Sequence, residues 1–132
     1  MRLSAFSLAA LLSGTACFSA HAAAESSYTM ADYARVVKID AHLHLHNPAP
    51  AFMEAAKRQN FKVLTINVDY PDFPPLDDQQ RVAIALKKAF PRDVAWIASF
   101  PVDGSDKPEW LPATRQRIAA SMGAGAVGVK VW

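Results

Sequence analysis

The chain has 132 residues, 52% of them hydrophobic and 20% charged, with a formal net charge of +2 and a single cysteine. That length fits one domain with a core of ordinary size, and the composition excludes an intrinsically disordered chain. With 14 basic against 12 acidic residues and no polybasic run, no stripe is available to neutralise phosphates and no segment suits an anionic membrane surface, so nucleic acid is not an expected partner.

The first 22 residues read as an export leader. Arg2 precedes an apolar run from Leu3 to Leu12, small residues follow, and Ala20-His21-Ala22 has the form of a cleavage site. The run is too short to span a membrane, and Ala and Leu occur all round it, so it lacks the polar face of an amphipathic helix. Residues 1–22 are expected to be removed and the mature chain to be periplasmic or secreted, with no stable membrane span. Cys17 leaves with the leader, and Gly14 stands where a lipoprotein signal needs an aliphatic residue. The mature chain then has no disulfide to form, and its fold rests on packing.

A polar lead-in occupies residues 23–35, and from Val36 short apolar runs alternate with helical stretches at the intervals of parallel βα units. The pattern predicts strands at about Val36 to Leu45, Lys62 to Asp69, Val94 to Val102 and Ala126 to Trp132. Helices are predicted at Ala51 to Asn60, Asp77 to Phe90 and roughly Pro112 to Met122. Pro48 and Pro50 suit a loop and a first helical turn, and Asp77 and Asp78 are expected to offer an N-cap and favourable charge at the positive end of the helix dipole. Gly123 and Gly125 mark a C-terminus. In the second helix Val82, Leu86 and Ala89 or Phe90 form the stripe expected against a sheet.

The densest signal is Lys38-Ile39-Asp40-Ala41-His42-Leu43-His44-Leu45-His46. In an extended chain successive side chains alternate, so Ile39, Ala41, Leu43 and Leu45 are expected on one face and Asp40, His42, His44 and His46 on the other. Three of the chain's four histidines lie here, and imidazole is the commonest protein ligand for transition metals. In the second strand Leu64, Ile66 and Val68 are expected to face helices, with Thr65, Asn67 and Asp69 on the opposite side and Asp69 nearest the functional end. In the fourth, Val127, Val129 and Val131 form the outer set and Gly128, Lys130 and Trp132 the inner one. An inward lysine calls for a carboxylate, neutralisation or chemical engagement, or a path to solvent.

Asp-x-His-x-His at Asp40, His42 and His44, followed by alternating parallel βα units, resembles the amidohydrolase superfamily, metal-dependent hydrolases built on a (β/α)8 barrel. The resemblance covers about Val36 to the last residue. It is closest to the amidohydrolase-related branch that also holds decarboxylases acting on aromatic acids. It implies that His42 and His44 ligate a divalent metal, with zinc the default and manganese the alternative. Residues 125–132 resemble the family's fourth strand, where several branches hold a lysine that bridges two metals once carboxylated, a role that would fall to Lys130. The resembled branch often lacks that lysine and uses one metal. A hydrolytic ion keeps an open position for water, whose pKa can fall to about 7 in favourable zinc sites.

The family completes its metal shell from strands five, six and eight, and a barrel of this class needs ~250 residues. Residues 36–132 are therefore expected to form the N-terminal half of a (β/α)8 TIM barrel, an α/β fold of about four parallel strands, as a fragment. A homo-oligomer with complementary edges is the other way to protect such a sheet. His46, one step beyond the histidine pair, and Asp69 are expected to face substrate or solvent near the mouth. Asp103 falls in the turn signal Asp-Gly-Ser-Asp. The expected partner is a small-molecule substrate whose amide, ester or related bond is hydrolysed. Segment 70–75 reads as a rigid proline-rich connection with some aromatic surface.

Two other readings remain. Histidine-triad nucleotide hydrolases also alternate histidines with hydrophobic residues, but they place the triad late in a mostly antiparallel domain and need a phosphate cradle, which is not found here. A non-catalytic secreted metal-binding module, or an inactive gene fragment, would use His42, His44 and His46 without chemistry.

Overall fold

In the computed structural model, residues 27–131 are described; the leader expected at 1–22, with Cys17 and the Ala20-His21-Ala22 pattern, lies outside the described residues, as does Trp132. A short 3-10 turn at Met30–Asp32 leads into β1 (Lys38–Leu43), α1 (Ala51–Arg58), β2 (Phe61–Ile66), α2 (Leu76–Ala89), β3 (Val94–Ala98), α3 (Trp110–Gly123) and β4 (Gly128–Val129). The strands form one sheet in the order β1-β2-β3-β4, and every neighbouring pair is parallel. The α/β alternation expected from the apolar runs is therefore present, with shorter strands. No helix among the described residues is long and apolar enough to cross a membrane.

Local chemistry sets the helix ends. α1 begins after Pro50, whose carbonyl accepts the Glu54 N–H at 2.8 Å. It stops at Asn60, which adopts φ 58°, a left-handed conformation that asparagine tolerates. There the Asn60 amide donates to the Arg35 carbonyl (2.7 Å) and its own carbonyl accepts the Lys38 N–H (2.9 Å), so one residue closes the helix and starts the first strand pair. α2 starts one residue before Asp77. The Pro75 carbonyl accepts the Asp78 and Gln79 N–H groups, and Asp77 and Asp78 lie inside the first turn, where they complement the helix dipole without capping it. α3 ends in a glycine cap. Gly125 takes φ 97°, Ala126 N–H reaches the Ser121 carbonyl and Gly125 N–H the Met122 carbonyl, both at 3.0 Å.

The helices supply one apolar layer. Met53 of α1 and Leu86 of α2 are buried with Val63 of β2 and Val94 of β3, and Leu43, Leu45, Val82 and Phe90 pack against them. Further along, Ala83 is buried with Trp96, Ala98 and Ala126. Each large side chain of this set contributes about 1.5–3 kcal/mol by leaving water. α3 joins the same layer through α2, by the Ser121 hydroxyl on Gln80 Oε1 (3.0 Å) and Arg117 on Asp77 (2.7 Å).

Partners across a parallel ladder point to the same side, so the register assigns every strand residue to the helix layer or to the opposite, open face. Val63 pairs with Val94 and Thr65 with Trp96, which places Thr65 toward the helices and Leu64 and Ile66 on the open face. This reverses the expectation for β2, because Val63, just ahead of the aliphatic set used to assign the faces, is the residue that anchors the core. In β4 the expectation agrees with the register: Val129 pairs with Ala98 on the helix side and Gly128 with Ile97 on the open side. β1 is not strictly alternating. Asp40 pairs with Val63 and Leu43 with Thr65, so three steps of β1 match two of β2, and the phase flips between them. Ile39, paired with Lys62, consequently lies on the open side at 68% exposure instead of sharing a face with Leu43.

Candidate metal centre

The flip in β1 decides where the histidines point. Beyond it, Leu43 and Leu45 pack into the helix layer, and the intervening His44 is turned to the open face. The backbone continues to hold this course past the end of β1, because the buried Thr65 hydroxyl accepts the Leu45 N–H at 3.0 Å. His42 projects to the same side: its ring centroid is 5.4 Å from that of His44, with the planes at 73°. Its backbone N–H donates to Asp40 Oδ1 (3.1 Å), a local bond spanning the irregular step of the strand.

His44 has a defined tautomer. Its Nδ1 lies 2.7 Å from the Ile66 carbonyl oxygen, and since a carbonyl can only accept, Nδ1 carries the proton. Nε2 is left with its lone pair as a base or a ligand, the arrangement that outer hydrogen bonds impose on metal-binding histidines. The pair also fits an ion geometrically. A metal ~2.1 Å from each ring nitrogen lies ~3.2 Å from the ring centroid, and two such rings at a tetrahedral angle have centroids ~5.2 Å apart. The observed 5.4 Å matches. The His44–His46 separation of 6.4 Å would need the two rings on almost opposite sides of an ion, outside tetrahedral geometry. The His42–His44 centroid separation is the one that two rings sharing an ion would have, and the His44–His46 separation is not. Among the described residues, no three His, Cys, Asp or Glu stand together as a group able to hold a metal ion.

His46 is engaged elsewhere. Its ring meets Phe73 edge-to-face at 5.1 Å, and Phe73 also meets His44 at 4.9 Å. Burial pushes the His46 imidazole below its ordinary pKa, and the nearby His44 adds to the same direction. Phe73 itself leans on Tyr70 at 6.1 Å. The loop between β2 and α2, which reads in the sequence as a rigid connection, therefore brings an aromatic edge onto two histidines.

Of the remaining candidates, Asp69 lies at the carboxyl end of β2, half-buried, and its Oδ2 accepts the Val102 N–H at 3.0 Å, tying the loops after β2 and β3 together. Asp69, Tyr70, Phe73, Val102 and Asp103 line a cleft of about 390 Å³ at this end of the sheet. Asp103 is exposed and sits in the turn that its sequence predicted. Lys130 follows Val129, is half-buried, and gives its backbone N–H to the Ala98 carbonyl (2.8 Å). Continued alternation from Gly128 puts it on the open face shared by His42 and His44.

Sequence reasoning passed over Gln79. It is 2% exposed, its Oε1 accepts the Val68 N–H (2.9 Å), and its Nε2 donates to the Val68 carbonyl (2.9 Å) and the Pro74 carbonyl (2.5 Å). The signal was present: the buried positions of α2 are Leu76, Gln79, Ala83 and Leu86, and a polar residue on a buried stripe needs partners.

The fold class is thus a singly wound parallel α/β sheet with a histidine pair at the carboxyl end of its first strand. Comparison with protein-family descriptions, with curated proteins and with solved structures found no match for this chain.

Proposed function

We propose that this chain carries the first-strand part of a metal-dependent hydrolase site of the amidohydrolase type, in the opening half of a (β/α)8 barrel. The observation that carries the reading is the His42–His44 pair, with ring centroids 5.4 Å apart on the open face of the sheet and the His44 tautomer set by the Ile66 carbonyl. The sheet supports it. The strands run in sequential parallel order with α1 and α2 packed on one side, as successive units of such a barrel do, and a barrel of this class gathers its functional groups at the strands' carboxyl ends. His42, His44, Asp69 and Lys130 all stand at or near that end.

In this reading His42 and His44 hold a divalent ion, zinc by the chemistry of imidazole donors. Such an ion supplies Lewis-acid polarisation of the scissile group and of water. Ile66 fixes the donor atom of His44, Asp69 holds the loop that borders the cleft, and Lys130 follows β4 at the opposite edge of the sheet. The substrate is a small molecule with an amide, ester or related bond, and the leader read in residues 1–22 directs the enzyme out of the cytoplasm.

The test is zinc calorimetry on the full chain and on His42→Ala and His44→Ala variants, with hydrolysis of simple amides and esters measured alongside. Loss of an outer hydrogen-bond partner alone weakens metal binding 10–100-fold, so loss of a ligand is expected to weaken it by ~100-fold or more. Unchanged zinc binding in both variants would remove the assignment.

A further inference from the structure

Resting on that metal reading, we infer that Phe73 is a positioning residue for the histidine site, held in place by a Gln79 staple that closes the loop between β2 and α2. The torsion that orients an imidazole about its Cβ–Cγ bond is broad and sets no sharp angle by itself. A ligand histidine therefore needs outside contacts to keep the same nitrogen aimed at the ion. His44 has two of them. The Ile66 carbonyl holds Nδ1 at 2.7 Å, and the Phe73 ring meets the imidazole at 4.9 Å with the planes 69° apart. The same phenyl ring meets His46 at 5.1 Å and 86°, so it packs against both imidazoles and restricts both.

A loop residue can do this only if the loop itself does not move. Gln79 makes that so by bonding both ends of it, Val68 before and Pro74 after, from a position that is 2% exposed. Asp69 adds a third tether through the Val102 N–H. Gln79 thus ties both ends of a segment of a few residues to α2, Asp69 ties it to the loop after β3, and Phe73 lies inside it. Edge-to-face packing of aromatic rings contributes about 0.5–1.5 kcal/mol beyond burial, sufficient to favour one ring orientation over a flipped one.

The experiment uses the metal-free full chain and long-range proton–nitrogen NMR of the histidine rings, followed by zinc titration, on Phe73→Ala and Phe73→Tyr. In the parent and in Phe73→Tyr, His44 is expected as a single tautomer protonated at Nδ1. In Phe73→Ala the tautomers mix, and the zinc Kd rises ~10-fold, the lower end of the cost of losing an outer partner of a metal ligand. Unchanged circular dichroism checks that the variant is folded. A His44 tautomer in Phe73→Ala identical to the parent's overturns the proposal, and so does a mixed tautomer with an unchanged zinc Kd. Failure of the parent to bind zinc overturns the metal reading instead, and the tautomer readout still decides whether Phe73 orients His44.

Discussion

Replacing Gln79 by methionine keeps the length and most of the volume of the side chain while removing its amide. Two of the groups it satisfies, the N–H and carbonyl of Val68, belong to a residue that is only 3% exposed, so water cannot readily take over. The third, the Pro74 carbonyl, is half-exposed and finds a solvent partner. Leaving a buried donor or acceptor unmade costs about 1–3 kcal/mol each, and the apolar gain from the methionine returns roughly 1 kcal/mol of that. Gln79→Met is therefore expected to lose about 1–5 kcal/mol, a large share of the 5–15 kcal/mol typical of a domain. Urea unfolding followed by tryptophan fluorescence measures it, with Trp96 in the core as reporter. Because the staple holds the loop, amide exchange at Tyr70, Asp72 and Phe73 should accelerate in the same variant. A midpoint shift worth less than ~0.5 kcal/mol, with unchanged exchange, would refute the idea that these bonds fix the loop.

Three further outcomes follow from the same structure. His46 should titrate below the ordinary imidazole value of about 6.5 in the metal-free chain, and Phe73→Ala should move it upward by admitting water to the ring. With a depressed imidazole the folded state binds fewer protons, so the stability this group contributes is complete above about pH 6.5 and is lost as the pH falls through the folded value; a midpoint at or above that value by NMR would contradict the packing. Gly125→Ala places a side chain at φ 97° with no atom within 4 Å of the new Cβ, so its cost is conformational, about 1–2 kcal/mol by thermal or urea unfolding; a neutral result would mean that the glycine cap of α3 is dispensable. Leu86→Ala, at 1% exposure in the cluster with Met53, Val63 and Val94, should lose about 2–5 kcal/mol, and a loss below 1 kcal/mol would show that this cluster is not the core.

The sequence was legible where a residue's type and its period agreed. Val94, Trp96 and Ala98 alternate against Ala95 and Ile97 and are buried on one side as the period demands; Asn60 and Gly125 stand where chain reversals need left-handed backbone. It was misleading in β2, where Val63, Leu64, Thr65 and Ile66 offer hydrophobic character on both faces. In a strand with aliphatic residues on both faces, alternation carries little information, and the face is chosen by which residue meets a helix, here Met53 and Leu86 on Val63. The irregular step between Asp40 and Leu43 was hidden for another reason: it depends on how β1 registers with β2, a property of two strands that no single segment encodes.

That irregular step is also what reconciles the histidines with the core. Had β1 kept the phase of its first three residues, Ile39 and Leu43 would share the open face and His42 and His44 would turn toward Met53 and the helix layer, burying two imidazoles with no polar partner. One extra residue between Asp40 and Leu43 moves Leu43 into the core and sends His44 to the side where the Ile66 carbonyl awaits its Nδ1. The cost is an exposed Ile39 on the first half of the strand.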